Sequence, residues 1–144
     1  MRKQWLCVGF FFASHLLAGA SPQSAPPRFV GEWEAVDCGW WEDSTVRGTY
    51  NFSFSATGST HTFLQYYSDR QGACVERGPV SQLATGKYQV DSAEVREDKV
   101  FYAVQVQYTH LSFPLFHRII VVSPNEIQVC MQPSPASCRS YRRR

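Results

Sequence analysis

Apolar and polar side chains alternate along most of residues 29–131, and no stretch repeats them convincingly at helical spacing. In 29–35, FVGEWEA, Phe29, Gly31 and Trp33 share one face while Val30, Glu32 and Glu34 share the other. That period of two belongs to a strand, whose successive side chains point to opposite sides. In 48–54, Tyr50, Phe52 and Phe54 alternate with Thr49, Asn51 and Ser53, which predicts a half-buried strand. Thr57-Gly58 then reverses the chain. The returning run 61–67 carries bulk on both sides, Phe63 and Tyr67 on one and Leu64 and Tyr66 on the other. Such a strand is covered on both faces, by core on one and by a neighbour or a ligand on the other. The clearest alternation is 99–111, with Val100, Tyr102, Val104, Val106 and Tyr108 on a single face.

Shorter strands are predicted at 83–90, interrupted near Gly86, at 116–122 and at 126–131. The last two are joined by SPNE, with Pro at the second and Asn at the third turn position. Residues 91–99, DSAEVREDK, are highly charged and predict either one or two helical turns or a solvated loop. In the loop 37–47, Trp40 and Trp41 are neighbours, so in extended chain they face opposite ways and one caps the domain or meets a partner. The whole reads as an all-β antiparallel meander of about seven or eight strands, a pattern that closes as a barrel or packs as a sandwich.

The ends differ from this pattern. Residues 1–20 have a basic start, an apolar run and Ala18-Gly19-Ala20, the features of a secretory signal peptide cut after Ala20. A secreted, extracellular product is expected, with no transmembrane segment in the mature chain, since no later run is long and apolar enough to span. Residues 21–28 form a Pro/Ser-rich leader, 29–133 the β-barrel domain and 134–144 a basic, solvated tail carrying Arg139, Arg142, Arg143 and Arg144. Cleavage removes Arg2 and Lys3 and no acid, which brings the fourteen basic side chains level with the twelve acidic ones. Formal charge balance leaves no broad electrostatic footprint for nucleic acid.

Cys7 leaves with the signal peptide, and Cys38, Cys74, Cys130 and Cys138 remain. An even number in an exported chain predicts two disulfides, with three connectivities open. No C-x-x-C spacing supports zinc, and His61, His110 and His117 form no close ligand pair. Nothing resembles a nucleophile elbow, a P-loop or a dinucleotide-binding glycine pattern, so neither an enzyme nor a cofactor is expected. What remains is aromatic surface. Tyr50, Tyr66, Tyr67, Tyr88, Tyr102 and Tyr108 each combine an apolar body with a hydroxyl, suited to a core or to a pocket that holds a hydrophobic chain. Asn51-Phe52-Ser53 is a glycosylation sequon on the face opposite the aromatics, which makes Asn51 a candidate glycan site.

The run TYNFSF, a turn, FLQYYSDRQGAC and then GKYQV resembles the domain of the APCDD family, the adenomatosis polyposis coli down-regulated proteins. FVGEW followed by DC fits the same pattern, and the similarity covers residues 29–90. The resemblance implies an extracellular β-barrel-like domain that binds a lipid chain, used in the family to antagonise Wnt signalling through the lipid on Wnt proteins. It carries over to Trp33, Tyr50, Phe52, Phe63, Gln65, Tyr66 and Tyr67, with Cys38–Cys74 as a disulfide. Family members are longer, repeat the domain and end in a membrane span. The Gly31-x-Trp33 pair at the start of a meander is also similar to lipocalins, which bind small hydrophobes inside a barrel. Taken with the aromatic stripes, a lipocalin-like barrel is expected, with Trp33, Tyr50, Phe52, Phe54, Phe63, Tyr66, Tyr67, Tyr88, Tyr102 and Tyr108 as ligand contacts. The partner is then a lipid or a lipidated extracellular protein. A small-molecule carrier and a disulfide-stapled module that docks protein or glycan are the alternatives.

Overall fold

The computed structural model describes residues 24–38, 41–42, 47–67, 77–131 and 137–144. The expected signal peptide, Trp40 and Cys74 lie outside these, and of Trp41 only the backbone is described. Nine strands make one antiparallel sheet: β1 (Gly31–Ala35), β2 (Trp41–Glu42), β3 (Arg47–Phe54), β4 (Ser59–Tyr67), β5 (Arg77–Arg96), β6 (Lys99–Tyr108), β7 (Leu115–Ser123), β8 (Glu126–Cys130) and β9 (Cys138–Arg143). From β3 onward each strand pairs with the next. β9 returns to β1, and β1 pairs with β3, so eight strands close as an up-and-down barrel. The two-residue β2 adds to the outer end of β3 at Gly48 and Arg47, where β1 no longer pairs with it. No α-helix occurs among the described residues.

Strand phase follows the sequence alternation. Val100, Tyr102, Val104, Val106 and Tyr108 of β6 point inward with Ile119 and Val121 of β7, Ile127 and Val129 of β8, and Tyr141 of β9. Across β3 and β4, Tyr50 opposes Leu64 and Phe52 opposes Thr62 on the same inner face. Burying these apolar surfaces drives closure, at about 25 cal/mol per Å² removed from water.

β5 is the longest strand because it serves two neighbours. Its first half pairs with β4 and its second with β6, and Gly86 and Lys87 pair with both. At this crossing a Cβ on Gly86 would press on the Gln107 carbonyl, so a side chain there is excluded by backbone approach.

Two expectations are corrected. Residues 91–99 are neither helix nor loop: they form the end of β5 and a two-residue turn into β6, with Glu97 and Asp98 at φ 48° and 63°. That is hairpin-turn geometry, matched to the twist of the strands. Its charge reflects position, since Val95 is 71% exposed and the hairpin tip stands clear of the core. The basic end is not a solvated tail, and the domain does not stop at 133. Cys138–Arg143 is the barrel strand β9, held between β8 and β1 with Tyr141 fully buried.

Candidate functional site

One end of the barrel is closed. Phe29 lies across it, fully buried, with ring centroids 5.2 Å from Phe54, 5.3 Å from Tyr88 and 5.0 Å from Tyr102. The Trp33 indole N–H donates to the Phe29 carbonyl at 2.7 Å, and the Tyr88 hydroxyl donates to the Ser55 carbonyl at 2.6 Å. Outside this plug, the Arg143 guanidinium sits 4.4 Å from the Trp33 ring centroid and donates to the carbonyls of Pro124 and Val30 at 2.9 and 3.1 Å. The Gly31-x-Trp33 spacing now has a cause. Gly31 is at φ 143°, and a Cβ there would run into the Arg143 guanidinium that covers Trp33. β9 thus supplies the bolt for the end that β1 opens.

The barrel interior next to this plug is filled. Ile119, Ile127 and Tyr141 have no exposed surface, and Val104, Val106 and Val129 have 1% each. Side chains so covered border no void wide enough for water. Trp33, Phe52, Phe54 and Tyr102, read from the sequence as ligand contacts, pack on one another and on these residues. An eight-strand barrel has room either for its own side chains or for one small ligand. At this level its own side chains occupy it.

The opposite rim is different. The ends of β1, β4, β6 and β8 and the starts of β5, β7 and β9 lie there, and partly buried Tyr50, Leu111, Leu115 and Met131 pack on the top of the core. At the same end Val36 and Phe113 are 58% and 56% exposed, and Phe116, on the outer face of β7, is 63% exposed. The β6–β7 connection that presents Leu111 and Phe113 is held by Gln107, whose side-chain amide donates to the carbonyls of Leu111 and Tyr108 at 2.7 and 3.1 Å. Tyr108 and Thr62 share a hydroxyl hydrogen bond of 2.9 Å beneath the rim, and burial pushes the Tyr108 phenol up. Arg139 at the start of β9 stands 3.6 Å from Asp37 just beyond β1.

One step below Leu115 on the inward face of β7 lies His117, opposite Val104 and only 5% exposed. Neither ring nitrogen has a hydrogen-bond partner, and desolvation depresses its pKa to about 4. It is a neutral imidazole in an apolar setting. In the sequence His117 stands out only as a metal-ligand candidate without a close partner, although its alternation with Leu115, Ile119 and Val121 places it on an inner face.

The double-faced strand β4 is covered on both sides as expected. Leu64 is buried inside; Gln65 and Tyr67 are buried outside, with Phe63 and Tyr66 half-buried. The outer cover includes the ion pair between Glu34 and Arg77 and the Gln65 amide donating to the Gly78 carbonyl at 2.8 Å. Phe63 and Val80 edge an outer groove of about 220 Å³ beside Asn51 and Arg144. A second outer groove, about 430 Å³, follows the bend of β5 between His61, Lys87 and Gln107.

Asn51 faces away from the aromatics, as the alternation requires, but it is not a presented glycan site. It is 5% exposed, and its side-chain carbonyl accepts the Ala35 backbone N–H at 2.9 Å. β1 has left β3 at this level, and the carboxamide stands in for the missing ladder bond. Cys130 and Cys138 form a cross-strand disulfide between β8 and β9. Cys38 is disulfide-bonded and buried; Cys74, the partner implied by the family resemblance, is outside the described residues. Among the described residues no three His, Cys, Asp or Glu side chains are grouped to hold a metal ion. Comparison with family models, with curated proteins and with solved structures gave no match.

Proposed function

We propose that this protein is a secreted binding module that takes an apolar group, of the kind carried by a lipidated extracellular protein, at the end of its barrel opposite Phe29. The observation that carries this reading is the set of half-buried Tyr50, Leu111, Leu115 and Met131 at the barrel end where Val36 and Phe113 are exposed. Apolar side chains left partly uncovered at one end of a filled barrel form a surface that gains free energy by covering another apolar body. A disulfide-bonded cysteine fits an extracellular setting, and the lipid-binding role is what the APCDD-like motif implies. A carrier that engulfs its ligand is less favoured, because the interior near Phe29 is occupied by side chains.

The test uses the chain from Ser21 onward with a fatty-acylated peptide and its unacylated twin. Saturable binding of the acylated peptide alone, weakened at least tenfold by Leu115→Asp, is the expected result. Equal binding of both peptides, or binding of neither, removes the proposal.

A further inference from the structure

We infer that the outer groove along the bend of β5 is a second binding site, separate from the barrel end described above, and that it takes a sulfated sugar. The groove has a volume of about 430 Å³, within the range of small-molecule sites, and it opens to solvent. Room and access are therefore both present. Where β5 passes from β4 to β6, the register sets two rows of side chains on the outer face: Ser59, Lys87 and Gln107 in one, and His61, Thr85 and Thr109 in the other. All six are polar, and none is acidic.

Lys87 is exposed and forms no ion pair among the described residues. Its cross-strand neighbours Ser59 and Gln107, and Thr85 and Gln89 on the same face of β5, are all uncharged. The surrounding wall has the same bias, because residues 47–67, 77–90 and 99–125, which make β3, β4, most of β5, β6 and β7, contain no Asp or Glu. Asp91 and Glu94 lie further along β5, toward the hairpin tip. An anion approaching the groove thus meets an uncompensated ammonium and no like charge on the strands that form it.

The remaining groups define what carries the anion. The Thr85 and Thr109 hydroxyls stand 3.4 Å apart, a long contact that leaves both able to bond a guest. The Gln107 amide nitrogen is spent on the Tyr108 and Leu111 carbonyls, which leaves its oxygen to accept. Such walls suit the hydroxyls of a sugar ring. Charge then selects the ester, since a phosphate monoester carries about −1.5 to −2 at pH 7 and is best met by several cations or an arginine fork, and no arginine lines the groove. A sulfate ester carries a single negative charge, which one ammonium and a His61 ring N–H can meet.

The probes are N-acetylglucosamine 6-sulfate, its 6-phosphate, the unmodified sugar and inorganic sulfate, each titrated at pH 7 into the nitrogen-15-labelled chain from Ser21 onward. The expected result is saturation by the sugar sulfate, with amide shifts centred on His61, Thr85 and Lys87 and an affinity at least about fivefold above each of the other three. Lys87→Gln should weaken it about tenfold, the worth of one charged hydrogen bond, at an unchanged melting temperature. Acylated-peptide binding should be unchanged in that variant, so the two sites stand or fall separately. Inorganic sulfate binding as tightly as the sugar sulfate means an adventitious ion only and overturns the inference. Equal binding of the unmodified sugar, a preference for the phosphate, shifts centred away from β5, or no saturation overturns it as well.

Discussion

Acidification should destabilise this protein through His117 before its carboxylates are protonated. The imidazole is buried without a partner and titrates at about 4 in the folded chain, against 6.5 when unfolded. Between those values the unfolded chain holds more protons than the folded one, so stability falls as the pH falls. It is complete above about pH 6.5 and lost progressively down to pH 4. A depression of this size corresponds to about 3 kcal/mol, from 1.36 kcal/mol per unit. That is a large part of the 5–15 kcal/mol typical of a whole domain. His117→Leu removes the titration and two unpaired polar atoms together. At pH 7 the variant should match or exceed wild type, by up to about 2 kcal/mol. Urea denaturation followed by tryptophan fluorescence at pH 7, 5.5 and 4.5 gives both curves, and their separation should widen by roughly 2–3 kcal/mol over the series. Wild type and variant declining in parallel from pH 7 to pH 4.5 would refute a buried neutral His117.

Arg143→Ala should destabilise by about 1–3 kcal/mol, because it removes a cation–π contact with Trp33 and two charged-donor hydrogen bonds. Arg143→Lys, lacking the planar fork, should recover less than half of that in a thermal melt. Asn51→Ala strands the Ala35 N–H and should cost about 1–3 kcal/mol, while glycosidase treatment of the secreted wild type should leave its mass unchanged. Deleting residues 138–144 opens the barrel between β8 and β1, and the truncated chain should lose its cooperative unfolding transition.

The sequence made the middle of the barrel legible because each strand there has one wet and one dry face. β3, β4, β6 and β8 were readable from period-two runs, and the strand phase placed Phe52, Val104 and Ile127 inward where the structure has them. What escaped was wherever charge masked the period. In CRSYRR the inward set is Arg139, Tyr141 and Arg143, and a run of arginines looks like a solvated end. Arg139 and Arg143 keep their charged heads at the two barrel ends, beside Asp37 and over Trp33, while only Tyr141 between them is deep. A short strand that spans a barrel can thus carry charge at both ends and still be core at its centre. DSAEVREDK was hidden for a related reason, since a hairpin tip that projects past the core has no dry face to show.

The candidate site was legible in kind but not in place. An alternating aromatic stripe predicts a buried face, and it cannot say whether the buried face meets a ligand or the opposite wall of its own barrel. Here the stripe of Phe52 and Phe54 meets Phe29 and Tyr141, which come from before β1 and from β9, the two parts read as leader-adjacent and as tail. Once the chain ends are counted as wall and plug, the aromatic surplus disappears into packing. Inside a filled barrel the aromatic rings pack on one another, whereas the His117 ring nitrogens are buried with no hydrogen-bond partner among the side chains around them. The same physics that makes an isolated buried imidazole costly makes it informative, because the burial that opposes its charge ties its state to the pH at which the fold is held.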